Sequence, residues 1–168
     1  MTALAGVRTE ADIATTIAEL RANGVELIAG SVTDLAGVTR AKYVPLQRLG
    51  AFQRSGMGAS PSWSVFCVDT GIAFTPSIGV VGDLRIRIDL ADVRRIEDGV
   101  AWAPGGLYDQ HGEPAPLCTR SLLVATERVA AQRGLSALVG VELECTMLGP
   151  DGGHASEHAW SPYGLRTS

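Results

Sequence analysis

The sequence predicts a small α+β fold, and three observations carry that reading. A helical pattern spans residues 12–22, a strand-rich stretch runs over 25–108, and a second helical pattern covers 119–133. The chain has 168 residues and a mass of 17.6 kDa, which is room for one domain, or for one domain and part of another. Hydrophobic residues make up 46% and charged residues 19%, a balance that excludes a long disordered tail and a disulfide miniprotein. Glycine is abundant at 20 residues, so many tight turns are expected.

The first helix places Ile13, Ile17 and Leu20 on one face, takes Thr9 as its N-cap and stops at Asn23-Gly24. The apolar run 25–32 reads as a strand. The turn Asp34-Leu35-Ala36-Gly37 leads into a second strand through Thr39, Ala41 and Tyr43, completing a hairpin. A short helix fits 45–53, and the Gly- and Pro-bearing stretch 54–62 has loop composition. Residues 63–69 read as a strand. Residues 84–90 read as a stronger one, because Leu84, Ile86, Ile88 and Leu90 alternate with Arg85, Arg87 and Asp89. Two short strands, 100–102 and 107–108, are expected on either side of Pro104-Gly105-Gly106. The segment His111-Gly112-Glu113-Pro114-Ala115-Pro116 marks a domain boundary, dividing the chain into 1–112 and 113–168. Beyond it Thr119 is the expected cap of a helix with the apolar stripe Leu122, Leu123, Thr126, Val129 and Ala130, ended by Gly134.

Charge and cysteine usage narrow the function. Fourteen Lys and Arg against eighteen Asp and Glu give a net charge of -4, so the chain has no general attraction for nucleic acid or an anionic membrane. Cys67, Cys118 and Cys145 are widely spaced and form no C-x-x-C pair, which fits a reducing compartment and no disulfide framework. The first ten residues lack the pattern of a secretory signal, and no apolar run reaches eighteen residues. The cytoplasm is the expected location.

The strongest chemical signal lies in residues 135–148, which alternate as a strand. One face carries Leu135, Ala137, Val139, Val141, Leu143, Cys145 and Met147, and the other carries Leu138, Glu142 and Glu144. Two glutamates at i and i+2 on a strand stand roughly 6.5–7 Å apart at their Cα atoms. Such a pair repels unless it is well solvated, shares a proton or holds a cation, and hard Mg2+ or Mn2+ prefers oxygen ligands. Spacing alone leaves two readings open: a solvated charged face, and part of a metal site that needs further ligands.

Other patterns carry less. His154-Ala155-Ser156-Glu157-His158 matches the H-x-x-E-H order of a zinc peptidase, but Gly152-Gly153 and Pro162 flank it and argue against the required helix. Gly58-Ala59-Ser60-Pro61-Ser62 lacks the final glycine of a nucleophile elbow. No Walker loop and no G-x-G-x-x-G after a strand is present. Arg85, Arg87, Arg94 and Arg95 form one basic cluster, to be read as a solvated strand face or as an anion site.

Several segments, taken in order, resemble the start of the glutamine synthetase superfamily. Asp34 through Lys42, with Val44-Pro45, is similar to a D-x-x-G-x-x-R-G-K-x-V-P stretch of its synthetase-like branch. Gly82-Asp83-Leu84-Arg85 through Asp89 resembles G-D-x-x-x-x-P-D, with Ile88 in place of the proline. Trp102-Ala103-Pro104-Gly105 follows at the expected interval. Cys118-Thr119-Arg120 resembles C-P-R, and Gly140-Val141-Glu142-Leu143-Glu144 resembles G-x-E-x-E. The resemblance implies an N-terminal β-grasp domain followed by the first helix and strand of a catalytic domain. It implies that Glu142 and Glu144 ligate the catalytic divalent cations, Mg2+ or Mn2+. It also implies ATP-dependent joining of a glutamate-like carboxylate to ammonia or a larger amine, in a ring-shaped homo-oligomer. In the family a D-G-S-S loop reaches a neighbouring active site, and its Asp helps to bind ammonium. The matching stretch here, Gly58 to Ser62, has no acid, so a larger amine is as plausible as ammonia. The resemblance places the ATP contacts, the remaining ligands and the transition-state arginines after residue 168, so this chain alone is expected to be inactive. The rival reading is a non-catalytic β-grasp interaction module that binds a partner through a strand edge or the Arg85/Arg87 face.

Overall fold

The computed structural model describes residues 9–76, 79–144 and 148–150, together with the backbone of two short strands at 159–160 and 166–167. It divides into two compact units, Met1–Ser136 and Ala137–Ser168.

The first unit begins with a reciprocal cap. Thr9 Oγ1 accepts from the Asp12 amide at 3.2 Å, and the Asp12 carboxylate accepts from the Thr9 amide at 3.0 Å, starting helix α1 at Glu10–Ala22. Asn23 closes α1, and Gly24 follows in the left-handed region at φ 76°. Strands β1 (Leu27–Thr33) and β2 (Thr39–Pro45) then form an antiparallel hairpin, with Leu27 opposite Pro45 and Thr33 opposite Thr39. A 3-10 turn at Leu46–Arg48 leads into helix α2 (Leu49–Arg54), tied to α1 by Arg54 and Glu10 at 2.7 Å.

The next segment departs from the expected order. Residues 57–59, read as loop, form strand β3 (Met57–Ala59), and the strand expected over 63–69 does not form. Ser60 instead caps a 3-10 turn at Pro61–Ser64. The chain then folds back so that the Cys67 amide donates to the Gly71 carbonyl at 2.8 Å, leaving one isolated bridge between Phe66 and Ile72. Val65 is buried and Trp63 packs on the core, so the apolar residues serve a turn rather than a pleat.

Strand β4 (Leu84–Ile88) buries Ile86 and Ile88 as its alternation predicts, and β5 (Arg94–Glu97) follows. The two short strands expected around Pro104-Gly105-Gly106 are one nine-residue strand, β6 (Val100–Tyr108). The strand survives because it changes partner there. Residues Val100 to Pro104 pair parallel with β1, and Gly105 to Tyr108 pair antiparallel with β4. Proline's missing donor therefore falls at the changeover, where its carbonyl accepts from the Asp89 amide at 2.8 Å. At Gly105 a Cβ would lie 2.9 Å from Ile86 Cγ2 and 3.0 Å from the Ser31 carbonyl oxygen, so any side chain there would make its neighbours at the crossing shift. The sheet order is β2-β1-β6-β4-β3, with β5 also on β6. Its core holds Ile28, Leu46, Leu49, Phe52 and Ile86, all fully buried.

Pro114 bridges Tyr108, and the buried Ala115 and Cys118 carry the chain into helix α3 (Thr119–Gln132). The cap is Cys118, not Thr119. The threonine hydroxyl is drawn away to donate to the Thr33 carbonyl at 2.6 Å. Leu122, Leu123 and Val129 of the expected apolar stripe are exposed, and Gly134 ends the helix at φ 71°.

The strand expected over 135–148, which begins at the end of the first unit and runs into the second, is not formed by residues 135–144, which are exposed and without regular structure; 145–147 lie outside the described residues. A strand is stabilised by the ladder on its edges, and among the described residues no other strand pairs with this segment. The pattern of alternation is present but unused. Strands β7 (Ala159–Trp160) and β8 (Arg166–Thr167) pair antiparallel. His154 to His158 lie outside the described residues. Among those that are described, no helix is long and apolar enough to cross a membrane.

Candidate functional site

The hairpin motif resolves into a buried ionic turn. Asp34 Oδ1 accepts from the amides of Ala36 at 3.0 Å and Val38 at 2.9 Å, and Oδ2 accepts from Arg40 Nε at 3.1 Å. Gly37 supplies the left-handed residue the turn needs, at φ 81°. The Arg40 guanidinium lies 3.9 Å from the centroid of the Phe66 ring, and the Lys42 ammonium lies 5.6 Å from that of Trp63. The acid, glycine and arginine of the Asp34 to Arg40 motif thus form one device, anchored against the 61–66 segment.

A second convergence joins segments more than thirty residues apart. Asp89, buried just after β4, accepts from the Ala91 amide at 3.0 Å and pairs with Arg120 Nη2 at 3.3 Å. Thr119 next to it is bonded to the end of β1, and Cys118 Sγ accepts from the Leu107 amide at 3.2 Å. The Asp89 and Cys118-Thr119-Arg120 motifs therefore fasten the start of α3 to the sheet. Burial pushes the Tyr108 hydroxyl pKa up, reinforced by Cys118 and opposed by Arg87 and Arg120. In the following turn, the amides of Glu113 and His111 hold the Asp109 carboxyl below its usual range.

The Gly58 to Ser62 stretch finishes β3 and enters the 3-10 turn, with the Ser62 amide donating to Ser60 Oγ at 3.2 Å. The reversal that follows turns on Asp69-Thr70-Gly71. Asp69 Oδ1 accepts from the Gly71 amide at 2.9 Å, and Thr70 sits at φ 67°. A β-branched residue in the left-handed region is strained. Thr70→Gly is expected to raise the stability of this unit by about 0.5–1 kcal/mol in urea denaturation, since relieved strain outweighs glycine's extra chain entropy.

Glu142 and Glu144, the sequence-predicted metal ligands, are both exposed in the irregular part of the second unit. Their carboxylate oxygens suit a hard divalent cation, but two are too few to complete its coordination. Among the described residues no group of three or more His, Cys, Asp or Glu is placed to hold a metal ion. Sequence reasoning also missed a polar contact: Trp102 Nε1 donates to Ser31 Oγ at 2.8 Å. The pairing of β1 with β6, invisible in local periodicity, creates it.

No family model matches the chain. It is 36% identical over 130 residues to gamma-glutamylpolyamine synthetase GlnA3 of Streptomyces coelicolor, a match covering 75% of this chain and 28% of that protein. It is 32% identical over 139 residues to the glutamine synthetase of Rhizobium meliloti, covering 82% of this chain and 30% of that one. A solved glutamine synthase homolog superposes with a TM-score of 0.57 at 30% identity, covering 65% of this chain and 27% of its own. The chain therefore spans under a third of the length of each of these proteins. The matched sequences and the matched mixed fold agree, and the chain belongs to the glutamine synthetase superfamily.

Proposed function

We propose that this chain is the N-terminal portion of an ATP-dependent carboxylate–amine ligase of the cytoplasm. Residues 1–112 would be its β-grasp domain and 113–168 the start of its catalytic domain. The observation that carries the reading is the way the family-like motifs act together: Asp34 with Arg40, and Asp89 with Arg120, are ion pairs that build the matched fold. In the proposed reaction the γ-phosphoryl group of ATP passes to the side-chain carboxylate of a glutamate-like acid. An amine then attacks that acyl carbon and phosphate leaves, giving an amide.

Glu142 and Glu144 are the residues proposed to hold Mg2+ or Mn2+, in a site completed by groups outside this chain and within a ring of subunits. The cation supplies neutralisation of phosphate oxygens during the transfer. Their segment keeps strand alternation, so pairing with a further strand would bring both carboxylates to one face. The Gly58 to Ser62 stretch carries no acid, and a relative's name specifies a gamma-glutamylpolyamine product; both support an amine larger than ammonia.

Two measurements test the proposal. Calorimetric titration of the 168-residue chain with Mn2+ should give weak saturable binding that Glu142→Ala plus Glu144→Ala abolishes; unchanged binding in the double variant would place the site elsewhere. A longer protein containing this chain should release phosphate from ATP only with Mg2+ or Mn2+, a glutamate-like acid and an amine. No release across a panel of amines would end the ligase reading.

A further inference from the structure

The four arginines of the basic cluster do not share one fate. Arg94 lies 3.7 Å from Asp92 and stacks 5.6 Å from the Trp102 ring, while Arg95 pairs with Asp98. Among the described residues, Arg85 and Arg87 have no carboxylate within ion-pair distance. Both are partly buried on the face of β4 opposite Ile86 and Ile88. Positions i and i+2 put their Cα atoms roughly 6.5–7 Å apart on that face.

The surroundings hold Arg87 in place without neutralising it. Its guanidinium lies 5.1 Å from the centroid of the Tyr108 ring, and a Cβ at Gly112 would stand 3.3 Å from both Nη atoms. Its Nε is buried and, among the described residues, has no hydrogen-bond partner. Across the ladder Arg87 faces Gly106 and Arg85 faces Tyr108 on one side and Gly58 on the other, so two of the three neighbours add no side chain above the pair. Two of the nearby acids are already engaged, and among the described residues the exposed Asp83, two residues before Arg85, forms no ion pair with it. Asp89 takes Arg120, and Asp109 Oδ1 takes the amides of His111 at 2.8 Å and Glu113 at 2.9 Å. A partly buried cation with an unused donor is costly unless an anion completes it.

The geometry points to an anion-binding site on the outer face of β4, in which Arg85 and Arg87 grip one multiply charged oxyanion of a small molecule. Two guanidinium forks at this spacing match the oxygens of a phosphate or of a polycarboxylate, and the aromatic wall of Tyr108 fixes the orientation of one fork. The site is built wholly from residues of the first unit and does not depend on the ligase reading.

The test uses the whole chain labelled with 15N, observing arginine Nε–Hε signals during titration at constant ionic strength. Inorganic phosphate is the first probe, citrate the second and chloride the control. The expected result is saturable movement of the Arg85 and Arg87 signals with phosphate or citrate and none with chloride; the tighter of the two identifies the source of the oxyanion. Arg85→Gln and Arg87→Gln should each weaken binding by about tenfold or more, as loss of a charge-assisted fork requires. Arg94→Gln should leave it unchanged. Arg87→Lys, which keeps charge and loses the fork, should bind more weakly than the unaltered chain and more tightly than Arg87→Gln. Should Arg87→Gln fail to fold by circular dichroism, the more peripheral Arg85→Gln decides. Linear shifts without saturation, equal response to chloride, or equal loss in Arg94→Gln would overturn the site.

Discussion

Asp34→Ala is expected to destabilise the first unit by about 3–4 kcal/mol, the loss usual when one partner of a buried ion pair is removed. The carboxylate is fully buried, and three donors depend on it: the Ala36 and Val38 amides and Arg40 Nε. Removing it leaves the arginine charge against the Phe66 ring with no counter-ion, and opens the turn that sets the register of β1 and β2. Two further variants separate these contributions. Asp34→Asn keeps an oxygen for the two amides and loses the charge, so it should cost about half as much. Arg40→Ala keeps the turn and strands the carboxylate, so its cost should lie near that of Asp34→Ala. Urea denaturation followed by circular dichroism measures all three. A change under about 0.5 kcal/mol for Asp34→Ala, the range of ordinary surface substitutions, would show that the turn forms without its acid.

The same residues show how far sequence carries. Thr9, Asp12 and Gly24 announced α1 because capping is local, and the alternation of Ile86 and Ile88 announced β4 because one face is buried. Asp34 and Arg40 were legible as a motif, and their hydrogen bonds stay within six residues. Asp89 and Arg120 were legible only as members of separate motifs, since a pair 31 residues apart has no local signature. Pro104-Gly105-Gly106 was misread for the opposite reason. Locally it breaks strands, yet the change of partner from β1 to β4 makes a residue without a donor and one without a side chain the right choices there. Residues 63–69 failed by composition: Trp63 and Val65 are apolar because the core needs them, not because a ladder does. Glu142 and Glu144 stand apart from both kinds of case. Their alternation is a statement about a paired strand, and pairing is a property of the neighbours as much as of the segment.

Gly30→Ala is expected to destabilise the first unit by about 3 kcal/mol, near the top of the range for overpacking. A methyl at this position would sit 2.3 Å from Phe52 Cζ and 2.5 Å from Ile88 Cγ2, distances that carbon atoms do not tolerate. Neither neighbour has room to move. Phe52 on α2 is among the most deeply buried side chains, and Ile88 is pinned by the pairing of β4 with β6. Gly30 lies in the middle of β1 between Lys42 on one side and Ala103 on the other, so the backbone cannot retreat without breaking both ladders. The small residue is thus what allows α2 to lie close on the sheet. Phe52→Leu alone should cost about 1–2 kcal/mol, since a smaller apolar side chain leaves part of the space empty. Combined with Gly30→Ala it should cost less than the sum, because the new methyl occupies the vacated volume, and a coupling of about 1 kcal/mol or more is expected for groups in direct contact. Strict additivity in that double-mutant cycle would mean that the ring of Phe52 is not what excludes a side chain at position 30.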